Sequence, residues 1–426
     1  MSAPVSPAPR THVLANGVTL ICDPAPGFET LALSVVAGRG ARFEPETRNG
    51  WSHLLEHMVF KGAGGRSARE IVEAIEAQGG QINAATGHER TSFHVRALRG
   101  GLALALEVTA DLLLRPSLDP ADLEREKQVI GQEIAEAADA PDDQVFELAQ
   151  SAAFADQPLG RPVLGSVASI GRASPQTLEA WRSAIYAPDR LVVSAAGAVD
   201  EDELLSIAQD RFAGTPARVG SIAPNARFTG GVAAEPRRLE QAHLVLALPA
   251  PGISDPAHFA FRLFAEVLGG GMSSRLFQEA RERLGLAYAV DAFAEVYADI
   301  GILGVYAGCA PSDAGRLAEV AAKEILGLAE GMKADELARA KAQLKASLFM
   351  GRESLIVRAE QAAAQLLAFG RLLATAEIAQ EVEAVGPEDV ARLAARILTP
   401  GRCAGAVLGP KRAMDAPRRF ETALFG

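Results

Sequence analysis

PADLEREKQ, residues 120–128, returns as KADELARAKAQ at residues 333–343. Leu123 then corresponds to Leu337 and Lys127 to Lys341, an offset of 214 residues in both cases. That offset is about half of a 426-residue chain. Solenoid repeats have periods of about 20–50 residues, so a half-chain offset indicates a duplicated domain rather than an array. The surrounding pattern agrees. In the first half, THVLANGVTLICD reads as a hairpin turning at Asn16-Gly17, and LALSVVAG as a further strand. A helical stretch runs from Asn49 to Phe60, and a second helix opens on the capping box Ser67-Ala-Arg-Glu70. QINAATG and RTSFHVRAL read as paired strands, followed by an apolar helix to Leu114 and another capped by Asp119-Pro120. The second half repeats this order, with LEQAHLVLALPAP, a helix from Phe259 to Leu268, a helix from Ser274 to Leu284, and the paired strands AYAVDAF and GILGVYAG. The expected fold is therefore α+β, with two similar halves, each an antiparallel sheet flanked by helices. The expected division is residues 1–215, a Gly/Pro/Ser/Asn-rich linker at 216–236, and residues 237–426.

Composition narrows the function. Hydrophobic residues make up 49% of the chain and the formal net charge is −11. The first supplies packed cores, and the second disfavours wrapping nucleic acid or lying on an anionic membrane. Cys22, Cys309 and Cys403 have no CxxC spacing, so they read as small buried apolar residues rather than disulfides or thiolate ligands. The first residues lack a basic and then apolar leader pattern, and no run of about 18 apolar residues occurs. A cytoplasmic location with no membrane partner is the expectation.

The chemistry concentrates at His53-Leu-Leu-Glu56-His57. On a helix, positions i, i+3 and i+4 share one face, so both imidazoles can converge on one ion with Glu56 beside them. Two imidazoles and one carboxylate suit zinc and leave its fourth position open. Many acids could be the third ligand, and spacing alone does not choose among them. Glu126 and Glu133 are seven residues apart on the helix after Asp119, two turns on one stripe. A solvated Glu/Lys face has the same pattern. Gly269–Gly271 is not followed by GK[ST], which leaves a phosphate loop unsupported.

HLLEHMVFKG and GGQINAATGHERTSFHV together resemble the inverted zinc-motif peptidases of the pitrilysin and insulinase family. The similarity is to the half-size bacterial members and to the catalytic subunit of the mitochondrial processing peptidase. It extends over PLGRPVLGSVASI, YAPDRLVVSAAGAVD and GGGMSSRLFQEARERLGLAYAV. The resemblance implies Glu133, 76 residues after His57, as the third ligand of one zinc ion per chain, with Glu126 supporting the site. It also implies Glu56 as general base, and Asn83 and Ala84 as the place where substrate main chain pairs. Arg281 and Tyr288 in RERLGLAY match an Arg/Tyr pair that serves the zinc site from the second half. Asp143 and Glu147 resemble acids that bind arginine near the cleavage site. His88 and His94 fall outside the motif and are expected to be packing or surface residues. The second half has Ala340 and Ser347 where the first has Glu126 and Glu133, so it is expected to bind no zinc.

The same resemblance implies a zinc metalloendopeptidase whose halves close as a clamshell on peptides or unfolded polypeptide segments, working as a homodimer. The alternatives are a non-catalytic subunit and a partner-dependent subunit of a processing-peptidase-like complex. The intact zinc motif and the presence of both Arg281 and Tyr288 argue against them.

Overall fold

The computed structural model describes residues 8–426, which divide into two compact units. The first unit is built on a six-stranded sheet of β1 (Arg10–Val13), β2 (Thr19–Pro24), β3 (Thr30–Ala37), β4 (Gln81–Thr86), β5 (Thr91–Leu98) and β6 (Leu191–Gly197). Its order is β1-β2-β6-β3-β5-β4, which leaves β4 at an edge. The hairpin read at Asn16-Gly17 is present, with Arg10 opposite Cys22.

Side-chain alternation explains the two faces. Leu20, Leu33, Val35 and Val193 point into a core shared with α1 (Trp51–Val59), α2 (Ala68–Glu76) and α3 (Leu102–Leu114). Their neighbours Ile21, Val36 and Val192 point the other way, onto Ala362 and Ala363 of the helix Leu355–Phe369. Central strands covered on both faces read as continuous apolar runs, and β6 is buried along its whole length. Strand β4 instead alternates exposed and half-buried residues, as an edge strand should.

The second unit repeats the plan. Its sheet comprises β7 (Gly231–Pro236), β8 (Ala242–Pro251), β9 (Ala287–Val296), β10 (Ile300–Cys309) and β11 (Ala404–Gly409), in the order β9-β10-β8-β11-β7. One face meets the helices His258–Gly269 and Ala314–Glu330, and the other meets Val145 and Ala149 of the helix Pro141–Ala153.

Three expectations need correction. Neither sheet is purely antiparallel, because β2 pairs with β6, and β11 with β7, in parallel. A parallel pair needs a long crossover, and β6 arrives only after an excursion through several helices. The division is also not a cut at the linker. Residues 135–161 belong with the second unit and 350–372 with the first. In each unit, therefore, the helix covering the sheet's outer face is contributed by the opposite half of the sequence. Finally, the end of the segment read as a linker forms β7. The three cysteines are free and buried, as read, and burial pushes the Cys22 thiol up to about 11. Among the described residues, no helix is long and apolar enough to cross a membrane.

One buried ion pair fastens the borrowed helix of the first unit. Arg358 Nε and Nη2 donate to Asp23 Oδ2 and Oδ1 at 2.8 and 2.6 Å, with side chains 6% and 1% exposed. Removing one partner of such a pair strands a buried charge. Arg358→Ala is therefore expected to lower the stability of the first unit by about 3–5 kcal/mol, read from the urea midpoint, whereas Asp23→Leu/Arg358→Leu recovers most of the loss.

Candidate metal centre

The site begins with how α1 is held. Gly50, at its N-cap, has φ +88° and no side chain to cap with. A Cβ there would meet the Leu164 carbonyl at 2.5 Å, so glycine is required. The capping carboxylate comes from Glu44, which accepts from Gly50 N at 2.7 Å and Ser52 N at 2.6 Å. A buried acid at a helix N-terminus also favours the dipole. Trp51 Nε1 donates to the Ser169 carbonyl, and Trp181 Nε1 donates to Ser52 Oγ. The first turn of α1 is thus locked from three directions.

Helix α4 (Pro120–Asp139) lies against the same site. Asp119 Oδ1 caps it, accepting from Ala121 N and Asp122 N. Glu126, Ile130 and Glu133 share a stripe, and Ile130 is fully buried between the two acids. His53, His57 and Glu133 each offer one donor atom, and these atoms lie within 4.8 Å of one another. Glu133 Oε2 is 3.8 Å from His53 Nε2, and Glu133 Oε1 is 3.7 Å from His57 Nε2. Those separations are too long for hydrogen bonds. They are close to the spacing of about 3.3–3.5 Å between ligand atoms around a tetrahedral zinc.

The protonation states fit the same use. Burial, and then the neighbouring His57, push His53 down to about 4, so its imidazole is neutral at pH 7. His57 Nδ1 donates to Glu126 Oε2 at 3.1 Å, which turns Nε2 toward Glu133. Lys61 Nζ, 2.8 Å from Glu126 Oε1, balances the buried acid. A ligating histidine usually gives its second nitrogen to a carboxylate in this way. The donor set therefore fits a zinc-type ion.

Glu56 lies on the same helix face. Its Oε2 accepts from Thr86 Oγ1 at 2.5 Å. Burial raises its pKa, and the hydrogen bond from Thr86 opposes that rise. Asn83 and Ala84 lie on β4, three and two residues before Thr86. Ala84 N donates to Asn83 Oδ1 at 2.9 Å, outside the ladder with β5, so this main-chain donor is held by the neighbouring side chain rather than by a strand.

Arg281 and Tyr288 belong to the second unit and come together there. Arg281 lies on a π-helical turn, Phe277–Arg283, where an ordinary α-helix was expected. Its guanidinium stands 4.9 Å over the Tyr288 ring and 4.6 Å over Phe277. Tyr288 falls at a register shift between Ala287 and Ala289 and is 80% exposed. Asp143 and Glu147 occupy neighbouring turns of the helix Pro141–Ala153, and burial, with the charge of Asp143, raises the Glu147 carboxyl. His94 proves to be a packing residue with a partner, its Nε2 lying 3.0 Å from Glu360 Oε1.

Sequence reasoning missed Glu44, Lys61, Thr86 and Tyr186. The Tyr186 hydroxyl is buried without a hydrogen-bond partner among the described residues, and the charge of Glu56 helps raise its pKa. None of the four carries a spacing that a single sequence would flag.

Known proteins resemble this chain over most of its length. Residues 21–167 match the family model described as Insulinase (Peptidase family M16), and residues 172–344 match the Peptidase M16 inactive domain. An uncharacterized zinc protease of Rickettsia felis is 34% identical over 93% of this chain and 96% of its own length. An uncharacterized zinc protease of Streptomyces coelicolor is 35% identical over 96% of this chain and 91% of its own. Among solved structures, a protease from Helicobacter pylori superposes with a TM-score of 0.88 at 20% identity, covering 95% of this chain and 100% of that one.

Support from Glu126 is measurable with cobalt(II) as a coloured probe. Glu126→Gln is expected to weaken its binding by about 10–100-fold, whereas His53→Ala, His57→Ala or Glu133→Ala abolishes the tetrahedral absorption band.

Proposed function

The chain belongs to the insulinase family of peptidases, peptidase family M16, and on that premise we propose that it is a zinc-dependent endopeptidase acting on peptides or unfolded polypeptide segments. The observation that carries this reading is the convergence of His53, His57 and Glu133 with Glu56 beside them. One zinc per chain is part of the proposal. Among the described residues, that trio is the group of three His, Cys, Asp or Glu side chains able to hold a metal. When bound, zinc supplies Lewis acidity toward a carbonyl and toward a water.

The remaining work falls to the chain's own residues. Glu56 takes the proton of the attacking water and returns it to the leaving amine. Its elevated pKa brings it closer to the working pH of such a shuttle. Asn83 and Ala84 pair with the substrate main chain along the open edge of β4, which selects an extended backbone while accepting varied side chains. Arg281 and Tyr288 donate to the developing oxyanion. Their support is chemical: a cationic fork stacked on an exposed phenol places two hydrogen-bond donors side by side. Asp143 and Glu147, two acids of like charge one turn apart, form a subsite for a basic side chain. Pairing of two chains as a homodimer belongs to the same proposal and is read by sedimentation equilibrium.

Glu56→Gln should keep its zinc, measured by atomic emission, and lose about 10²–10⁴ in kcat on a fluorogenic peptide library. Stoichiometric zinc in a His53→Ala/His57→Ala variant would overturn the assignment of the ligands. Tyr288→Phe should cost about 10²–10³ in kcat with zinc content unchanged, and wild-type turnover there would remove it from the oxyanion role. Asp143→Asn/Glu147→Gln should reduce the preference for arginine-containing peptides by roughly 2–5-fold, the scale of an exposed ion pair.

A further inference from the structure

Edge strand β4 does two things at once. Its open side carries Asn83 and Ala84, and its last residue, Thr86, reaches α1. Thr86 Oγ1 donates to Glu56 Oε2 at 2.5 Å, and the Thr86 backbone is a second hydrogen-bond partner of the same carboxylate. An O–H···O⁻ bond of that length lies at the strong, charge-assisted end of the range.

We propose that Thr86 is the positioning residue of Glu56, tying the catalytic carboxylate to the strand on which the substrate backbone is aligned. The proposal rests on the assignment of Glu56 as general base. Three physical features support it. A glutamate side chain is long and loses considerable rotamer freedom when fixed, so a general base on a helix needs a tether to stay in reach of the proton it abstracts. Threonine is a suitable tether, because its β-branch leaves few χ1 positions and the hydroxyl is held in place before the carboxylate arrives. Two contacts from one residue, the hydroxyl and the main chain, fix both the position and the orientation of the carboxylate. Alternation along β4 completes the arrangement. Ala84 and Thr86 are two residues apart, so both face the helix side of the strand, about 6.7 Å from each other. A backbone docked beside Ala84 is then registered to the base through two residues of one strand. Small movements of that strand carry base and substrate together.

The test compares Thr86→Val, which keeps the branched shape and deletes the hydroxyl, with Thr86→Ser, which keeps the hydroxyl. The zinc-loaded full-length protein is assayed on a fluorogenic peptide, with Glu56→Gln alongside. Thr86→Val is expected to lose on the order of 10–100-fold in kcat, the usual result of misplacing a catalytic group, with KM within about twofold. Thr86→Ser is expected to recover most of that loss, and zinc content should stay unchanged in both. Binding gives a readout independent of turnover. A labelled peptide should bind Glu56→Gln and Glu56→Gln/Thr86→Val with equal Kd in fluorescence anisotropy. Wild-type kcat in Thr86→Val, beside an inactive Glu56→Gln, would overturn this proposal and leave the general base in place. Activity in both would instead remove Glu56 from its role. A raised KM in Thr86→Val that serine does not rescue, or a weakened peptide Kd in the double variant, would reduce Thr86 to strand structure and overturn the proposal.

Discussion

The Glu133 carboxylate stands between two imidazole nitrogens at 3.7 and 3.8 Å, bonded to neither. A carboxylate in that position suits an ion placed among all three groups, and several contacts of the first unit keep it there. Helix α1 must begin at a fixed point, which Glu44, Trp51 and Trp181 ensure. Helix α4 must present the same stripe at Glu126 and Glu133, which the burial of Ile130 between them enforces. His57 must turn one particular nitrogen outward, which the bond to Glu126 decides. Each of these contacts costs some freedom on folding. Together they hold the three donors in place before any ion arrives.

The two units share a plan but differ in how they carry the candidate site residues. In the first unit those side chains project from regular elements: α1, α4 and the end of β4. In the second, Arg281 and Tyr288 sit on departures from regularity, a π-helical turn and a shifted strand register. Both kinds of irregularity redirect a side chain that an ideal element would aim elsewhere. There the Arg281 guanidinium stands over the Tyr288 ring, 4.9 Å from its centre.

Local signals in the sequence were enough for most elements. The Ser67–Glu70 capping box, the Asn16-Gly17 hairpin and the helix stop after Leu114 are all present. His53, Glu56 and His57 could be grouped because helical spacing is itself local. Glu126 and Glu133 were visible as a stripe, but choosing Glu133 needed the family resemblance, since any solvated helix has such a stripe. The parallel pairings escaped because alternation along a strand does not reveal the direction of its partner. The exchanged helices escaped for a related reason. Leu355–Phe369 is apolar enough to cover a sheet, yet nothing in it says which sheet. Thr86 was invisible because a threonine at a strand end is ordinary, and its partner lies 30 residues away. The π-helix and the register shift depend on packing that no short-range pattern encodes.

The helix exchange has a consequence for how the chain is made. Apart from the segment 350–372, the first unit is complete once residue 223 has been synthesised. Ile21, Val36 and Val192 then wait for a cover encoded roughly 150 residues downstream. At about 5–20 residues per second, translation leaves that apolar face open for on the order of ten to thirty seconds. Asp23 waits on the same face with its charge unpaired, since Arg358 belongs to the missing helix. Completion of the first unit is therefore timed by the arrival of a single helix rather than by the unit's own length.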